Sequence, residues 1–124
     1  MIYEVFKVGR IFFAKLSTGE DLIKSIEELA KKEGVKNGVF FVIGTLKKAT
    51  FGFYSPKMRP ITIEEPLEII SCIGNISEKN GEIKVHAHIS ISDSKYHCYA
   101  GHLLPGSEID VVGEAVIFEL AKQE

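Results

Sequence analysis

Ile83-Lys84-Val85-His86-Ala87-His88-Ile89-Ser90-Ile91-Ser92 alternates apolar and polar residues without a break. A period of two marks a strand with one buried face. It sets Ile83, Val85, Ala87, Ile89 and Ile91 on one side, and Lys84, His86, His88, Ser90 and Ser92 on the other. A second piece, Ala100-Gly101-His102-Leu103, follows a hairpin's length later, and the two together hold three of the four histidines. We read them as adjacent antiparallel strands. Imidazoles at i and i+2 on a strand stand roughly 7 Å apart at Cα, near enough to reach one metal ion. A third ligand from the neighbouring strand completes a three-histidine site with an open position.

Whether His102 joins them depends on the turn. Directly opposed residues of an antiparallel pair project to the same face. A two-residue turn at Asp93-Ser94 pairs His86 with Gly101 and sends His102 to the far side. A three-residue loop, Asp93-Ser94-Lys95, sets His86 opposite His102, and a five-residue loop sets His88 there. Odd lengths allow the site and even ones forbid it. The segment has no Asn-Gly or Asp-Gly, the usual mark of a two-residue turn, which favours an odd loop. The competing reading is three solvated histidines on a polar sheet face.

The rest of the chain supports a sheet. With 124 residues, 45% of them hydrophobic and 26% charged, the chain has the size and composition of one globular domain, residues 1–124. A net charge of -2 gives no overall pull toward nucleic acid or an anionic membrane. There is no signal-peptide pattern, and the apolar runs are far too short to span a bilayer. Cys72 and Cys98 form no CxxC and suggest no disulfide framework, which fits a reduced, cytoplasmic setting.

Met1 to Leu16 is rich in β-branched and aromatic residues broken by Gly9-Arg10, and reads as two short strands or one with a bulge. Ser17 with Glu20, or Thr18 with Asp21, offers a capping box. Leu22, Ile23, Ile26, Leu29 and Ala30 then form the apolar stripe of one helix that ends at Gly34. Val39-Phe40-Phe41-Val42-Ile43 reads as a strand buried on both faces. Gly44, Gly52 and Gly74 suggest bulges or close backbone approach. Ser55 to Pro66 holds three of the four prolines and reads as a long loop. Leu67 to Ile76, Glu82 to Ser92, Tyr96 to Leu104 and Asp110 to Leu120 are the remaining strands, with a turn at Asn80-Gly81. One helix cannot cover both faces of so large a sheet. Either the sheet curls into a barrel or a second copy covers the open face.

Several segments, taken in order, resemble the PPC domain, the "plants and prokaryotes conserved" domain. They are Thr18-Gly19-Glu20-Asp21-Leu22, Ile43-Gly44-Thr45-Leu46 through Phe53-Tyr54, Leu67-Glu68-Ile69-Ile70 through Ile76-Ser77, and the His86-Ala87-His88 and Gly101-His102-Leu103 pieces. The resemblance implies an α+β fold with a largely antiparallel sheet, one main α-helix and a homotrimer. Combined with the coverage argument, the expected fold is α+β with a largely antiparallel, curled β-sheet. In plants the domain is joined to an AT-hook that grips the minor groove, and it mediates trimer formation and contacts with other proteins. This chain has no Arg-Gly-Arg-Pro, and its only arginines are Arg10 and Arg59. The chain resembles the stand-alone prokaryotic members, some of which are expected to hold a metal with the histidines matching His86, His88 and His102. Ala100 stands where the family usually has a glycine.

Zinc, with water as fourth ligand, best suits a site of three imidazole nitrogens. Cys98 is a poor co-ligand, four residues from His102 and about 13 Å away on a strand. His97 projects to the other face. Hydrolysis by a metal-bound water needs a base, for which Glu114 and Glu68 are the candidates. No nucleophile motif, phosphate-binding loop or paired carboxylates occur, so the sequence leans away from an enzyme. A clustering of Lys47, Lys48, Lys57 and Arg59, tripled by trimer symmetry, is the feature that would serve DNA. The alternative function is therefore a DNA-associated or protein-interaction scaffold, a trimer acting without catalysis.

Overall fold

The periodicities resolve into β1 (Phe6–Leu16), α1 (Leu22–Glu33), β2 (Gly38–Tyr54), β3 (Met58–Ile63), β4 (Leu67–Lys79), β5 (Glu82–Ser92), β6 (Cys98–Leu103) and β7 (Glu108–Lys122). They are seen in a computed structural model, which describes residues 1–123. All the strands join one antiparallel sheet in the order β1-β7-β2-β4-β5-β6, with β3 paired to the end of β2. β2 also pairs with β6, at Phe51–Leu103 and Gly52–His102.

Between bulges, residues alternate between the two faces. Phe40 and Val42 of β2, Cys72 of β4, Ala87 and Ile89 of β5, and Ala115 and Ile117 of β7 are buried. On this inner face lies α1, whose Leu22, Ile26 and Ala30 are also buried and which packs on β5 and β7. Helix and sheet thus bury one shared apolar surface. The Cys72 thiol lies in it, and burial raises its pKa to about 12.

The helix begins at Asp21, which differs from either expected capping box. Asp21 has extended backbone, its Oδ1 accepts the Lys24 N–H (3.1 Å), and its Oδ2 accepts the Gly106 N–H (2.6 Å). One carboxylate thereby caps the helix and ties it to the loop before β7. Glu20 still accepts the Ser17 N–H at 2.9 Å, half of the expected reciprocal pair. Gly34 ends the helix in the left-handed region, as its position suggested.

Gly9-Arg10 is a bulge within a single strand, the second of the two readings for Met1 to Leu16. There Arg10 donates through Nε (3.0 Å) and Nη2 (2.9 Å) to the Glu119 carboxylate, and through Nη2 to the Glu33 carbonyl oxygen (2.7 Å). It thus joins the C-terminal end of α1 to β7, where a cation is favoured. The hydrogen bonds from Arg10 hold the Glu119 carboxyl below its usual range.

Two expectations are corrected. Ser55 to Pro66 is not a long loop, because Met58–Ile63 forms β3 against Ala49–Tyr54. Pro60 is tolerated since β3 is an edge strand whose missing donor needs no partner. Val39 to Ile43 is not buried on both faces either: Phe41 is 47% exposed and Ile43 59%. Its continuous apolar character belongs to a face that nothing in one chain covers. Gly44 does sit at shifts of register, and Gly52 and Gly74 at close approaches of other groups.

Candidate metal centre

The β4–β5 hairpin is closed by Asn80 and Gly81, both at positive φ (55° and 80°), as a two-residue turn of this hand requires. The turn fixes the register that places Ile73 opposite His88 and Asn75 opposite His86. The β5–β6 hairpin is closed by five residues, Asp93–His97, and sets His88 opposite His102. This is one of the two odd lengths that put three histidines on one face.

The loop owes its shape to Asp93. Its Oδ1 accepts the N–H groups of Lys95 and His97, both at 2.9 Å, and its Oδ2 lies 3.2 Å from His97 Nδ1. The Asp93 N–H donates to the His97 carbonyl oxygen at 3.0 Å. Tyr96 takes a positive φ of 65° within this frame. The hydrogen bond from the His97 N–H, with those from Lys95 and the His97 ring, holds the Asp93 carboxyl below its ordinary range. His97 therefore buttresses the turn that sets the register of His102. Cys98, the first residue of β6 after the loop, is exposed.

The three imidazoles converge. One ring nitrogen from each of His86, His88 and His102 lies within 4.8 Å of the others. Ring centroids are 5.1 Å apart for His86 and His88, 4.5 Å for His86 and His102, and 5.4 Å for His88 and His102. β6 can bring His102 in only because its backbone comes close to β2 at Gly101, where a Cβ would sit 2.7 Å from the Gly52 carbonyl oxygen. Partial burial lowers the His102 pKa, and charge on His86 and His88 lowers it further. Both effects favour the neutral imidazole that a metal needs. Three neutral nitrogens with no thiolate beside them suit a borderline ion such as zinc.

The site belongs to a row that crosses the sheet. Phe13 pairs with Val116, Val116 with Phe41, Phe41 with Ile73, Ile73 with His88, and His88 with His102. All project to the outer face. Phe13 is 61% exposed and Ile73 54%. Beside the histidines Ile73 forms a ridge with a cavity on either side. One, of about 530 Å³, is lined by Phe53, Tyr54, Ser71, Ser90 and Ala100 together with His88 and His102. The other, of about 600 Å³, is lined by Val39, Phe41, Asn75 and His86 among others. Of these wall residues, only Ser90 was placed beside the histidines from the sequence. The Asn80-Gly81 turn was the signal for Ile73, since counting back from it pairs Ile73 with His88.

Other expected partners lie elsewhere. Neither Glu68 nor Glu114 lines these cavities. Glu68 pairs with Thr45 and Ser92, five residues along β4 from Ile73, or about 16 Å. Glu114 is on β7, three strands from β5 in the sheet order. The four cations do not form one cluster. Lys48 pairs with Glu108 at 3.7 Å, while Arg59 rests on the Phe53 ring five residues, roughly 17 Å, further along β2.

Residues 3–121 match the Plants and Prokaryotes Conserved (PCC) domain. The chain belongs to that family. It is 33% identical to the plant- and prokaryote-conserved (PPC) protein of Pyrococcus horikoshii, with a TM-score of 0.91 over 100% of this chain and 87% of that one. A metal-containing protein from Archaeoglobus fulgidus is 30% identical, with a TM-score of 0.90 over 99% of this chain and 88% of the other. A proposed DNA-binding protein from Bacteroides thetaiotaomicron is 26% identical, with a TM-score of 0.85 over 92% and 83% of the two chains. The bifunctional protein GlmU of a Synechococcus strain is 28% identical over 109 residues, which are 87% of this chain and 16% of that protein. The chain thus spans about a sixth of the length of this curated relative. Among the described residues no helix is long and apolar enough to cross a membrane.

Proposed function

We propose that this PCC-domain protein is a zinc-binding homotrimer, one domain per chain, that works in the cytoplasm as a ligand-binding or scaffold module. The observation that carries the reading is the convergence of His86, His88 and His102, each through one ring nitrogen, from two strands on one sheet face. The metal-containing relative supports it. Bound zinc supplies Lewis acidity and one open position. Neither adjoining cavity wall offers a carboxylate base, which favours binding over hydrolysis.

The trimer rests on the outer face. Phe13, Phe41, Ile43 and Ile73 form an exposed apolar band too continuous to be scattered surface residues, and a second copy is the natural cover. The return of β6 to β2 supports a curled sheet.

Elemental analysis of tag-free protein tests the site. Wild type is expected to carry close to one zinc per chain, and His88→Ala to lose it while keeping its fold. Wild type that takes up no zinc even after incubation with the ion overturns the reading. The second reading, a DNA-associated trimer, is favoured by the relative proposed to bind DNA. It requires an affinity for duplex DNA that falls steeply with salt.

A further inference from the structure

The cavity between the histidines and the end of β2 is open, mostly apolar and of the size that small organic ligands occupy, about 530 Å³. Its floor is the outer face of β4, β5 and β6, its far wall is Phe53 and Tyr54, and Ser71 and Ser90 add two hydroxyls. Its inner end is made by His88 and His102, two of the three converging imidazoles. The charge balance there is one-sided. No carboxylate lines this cavity or its neighbour, so a divalent ion on three neutral imidazoles keeps its full charge. Such a centre calls for an anion in its open position, and the apolar wall beside it calls for a hydrophobic body on that anion.

We propose that this cavity binds a small carboxylic acid, its carboxylate on the metal and its apolar body along Phe53 and Tyr54. The proposal rests on the metal site above, and the two can fail separately. Ala100 lines the cavity, is exposed and is not one of the three histidines, so its replacement by phenylalanine fills the space without touching the site. Aromatic residues are also favoured in strands.

The test uses the full chain loaded with Co²⁺, whose visible absorption reports both its coordination and a new ligand. Loss of the absorption in His88→Ala establishes the metal site first. Benzoate and acetate are then titrated, and benzoate is expected to bind about tenfold or more tightly because its ring is buried. Ala100→Phe is expected to bind cobalt and acetate as before while losing the benzoate advantage. Equal affinity for the two acids, which is also the outcome if a second copy fills the cavity, overturns the proposal and leaves the metal site standing. An unchanged benzoate advantage in Ala100→Phe overturns it too. No cobalt uptake by wild type overturns both.

Discussion

Phe40 and Phe41 are neighbours in β2 with opposite fates. Phe40 is 1% exposed, against Gly74 and in the core with α1, whereas Phe41 is 47% exposed in the row that ends at His102. The same contrast holds across the sheet, between Cys72 and Ile73 and between Ala87 and His88. The inner face is accounted for by the fold of one chain. The outer face also bears apolar residues, Phe13, Phe41, Ile43 and Ile73 among them, that this fold leaves exposed. In the function proposed above, its residues answer to what they would meet outside the chain: another copy over the middle, and an ion with its ligand at the β6 end.

The sharpest way to break this contrast is to substitute both neighbours. Phe40→Ala is expected to cost about 3–5 kcal/mol in denaturant unfolding, through lost burial and the cavity left above Gly74. Phe41→Asp is expected to leave the chain's own fold within about 0.5 kcal/mol, as at an exposed site. Its effect should instead appear in sedimentation, as a shift from trimer to single chains of 13.8 kDa. If Phe41→Asp unfolds the chain as Phe40→Ala does, the two faces are not distinct in the way described.

A smaller effect tests how the histidine end of the row is held in register. The Asp93 carboxyl is depressed by its hydrogen bonds, so its contribution is present above the ordinary carboxylate value of about 3.9 and is lost as pH falls through the lower folded value. Relative to an unprotected chain, amide exchange at Lys95 and His97 is expected to be slow at neutral pH and to quicken only as pH falls through that lowered value. In Asp93→Ala it should be fast throughout. Equal exchange in the two proteins at neutral pH would remove Asp93 from the control of the loop.

Much of this was legible in the sequence. Strict alternation in Ile83 to Ser92 gives both faces of β5 correctly, and the parity argument limits His102 to two odd loops. The choice between three and five residues was not legible, because it depends on Asp93 reaching forward to the His97 N–H, a side-chain contact that no hairpin signature encodes. β3 was hidden by the prolines in and around it, and the cost of Pro60 vanishes only once the strand is known to be an edge. Phe41 and Ile43 were read as buried because an apolar side chain carries no mark of whether its own chain or another covers it. The return of β6 to β2 at Gly52 pairs residues about fifty positions apart and leaves no periodic trace.

X-ray absorption at the zinc edge of the loaded protein tests the three-histidine site most directly. Three imidazole nitrogens at about 2.0 Å, with one further light oxygen or nitrogen and no sulfur, is the result predicted for His86, His88 and His102. A sulfur shell near 2.3 Å, or fewer than two imidazoles per zinc, would contradict it.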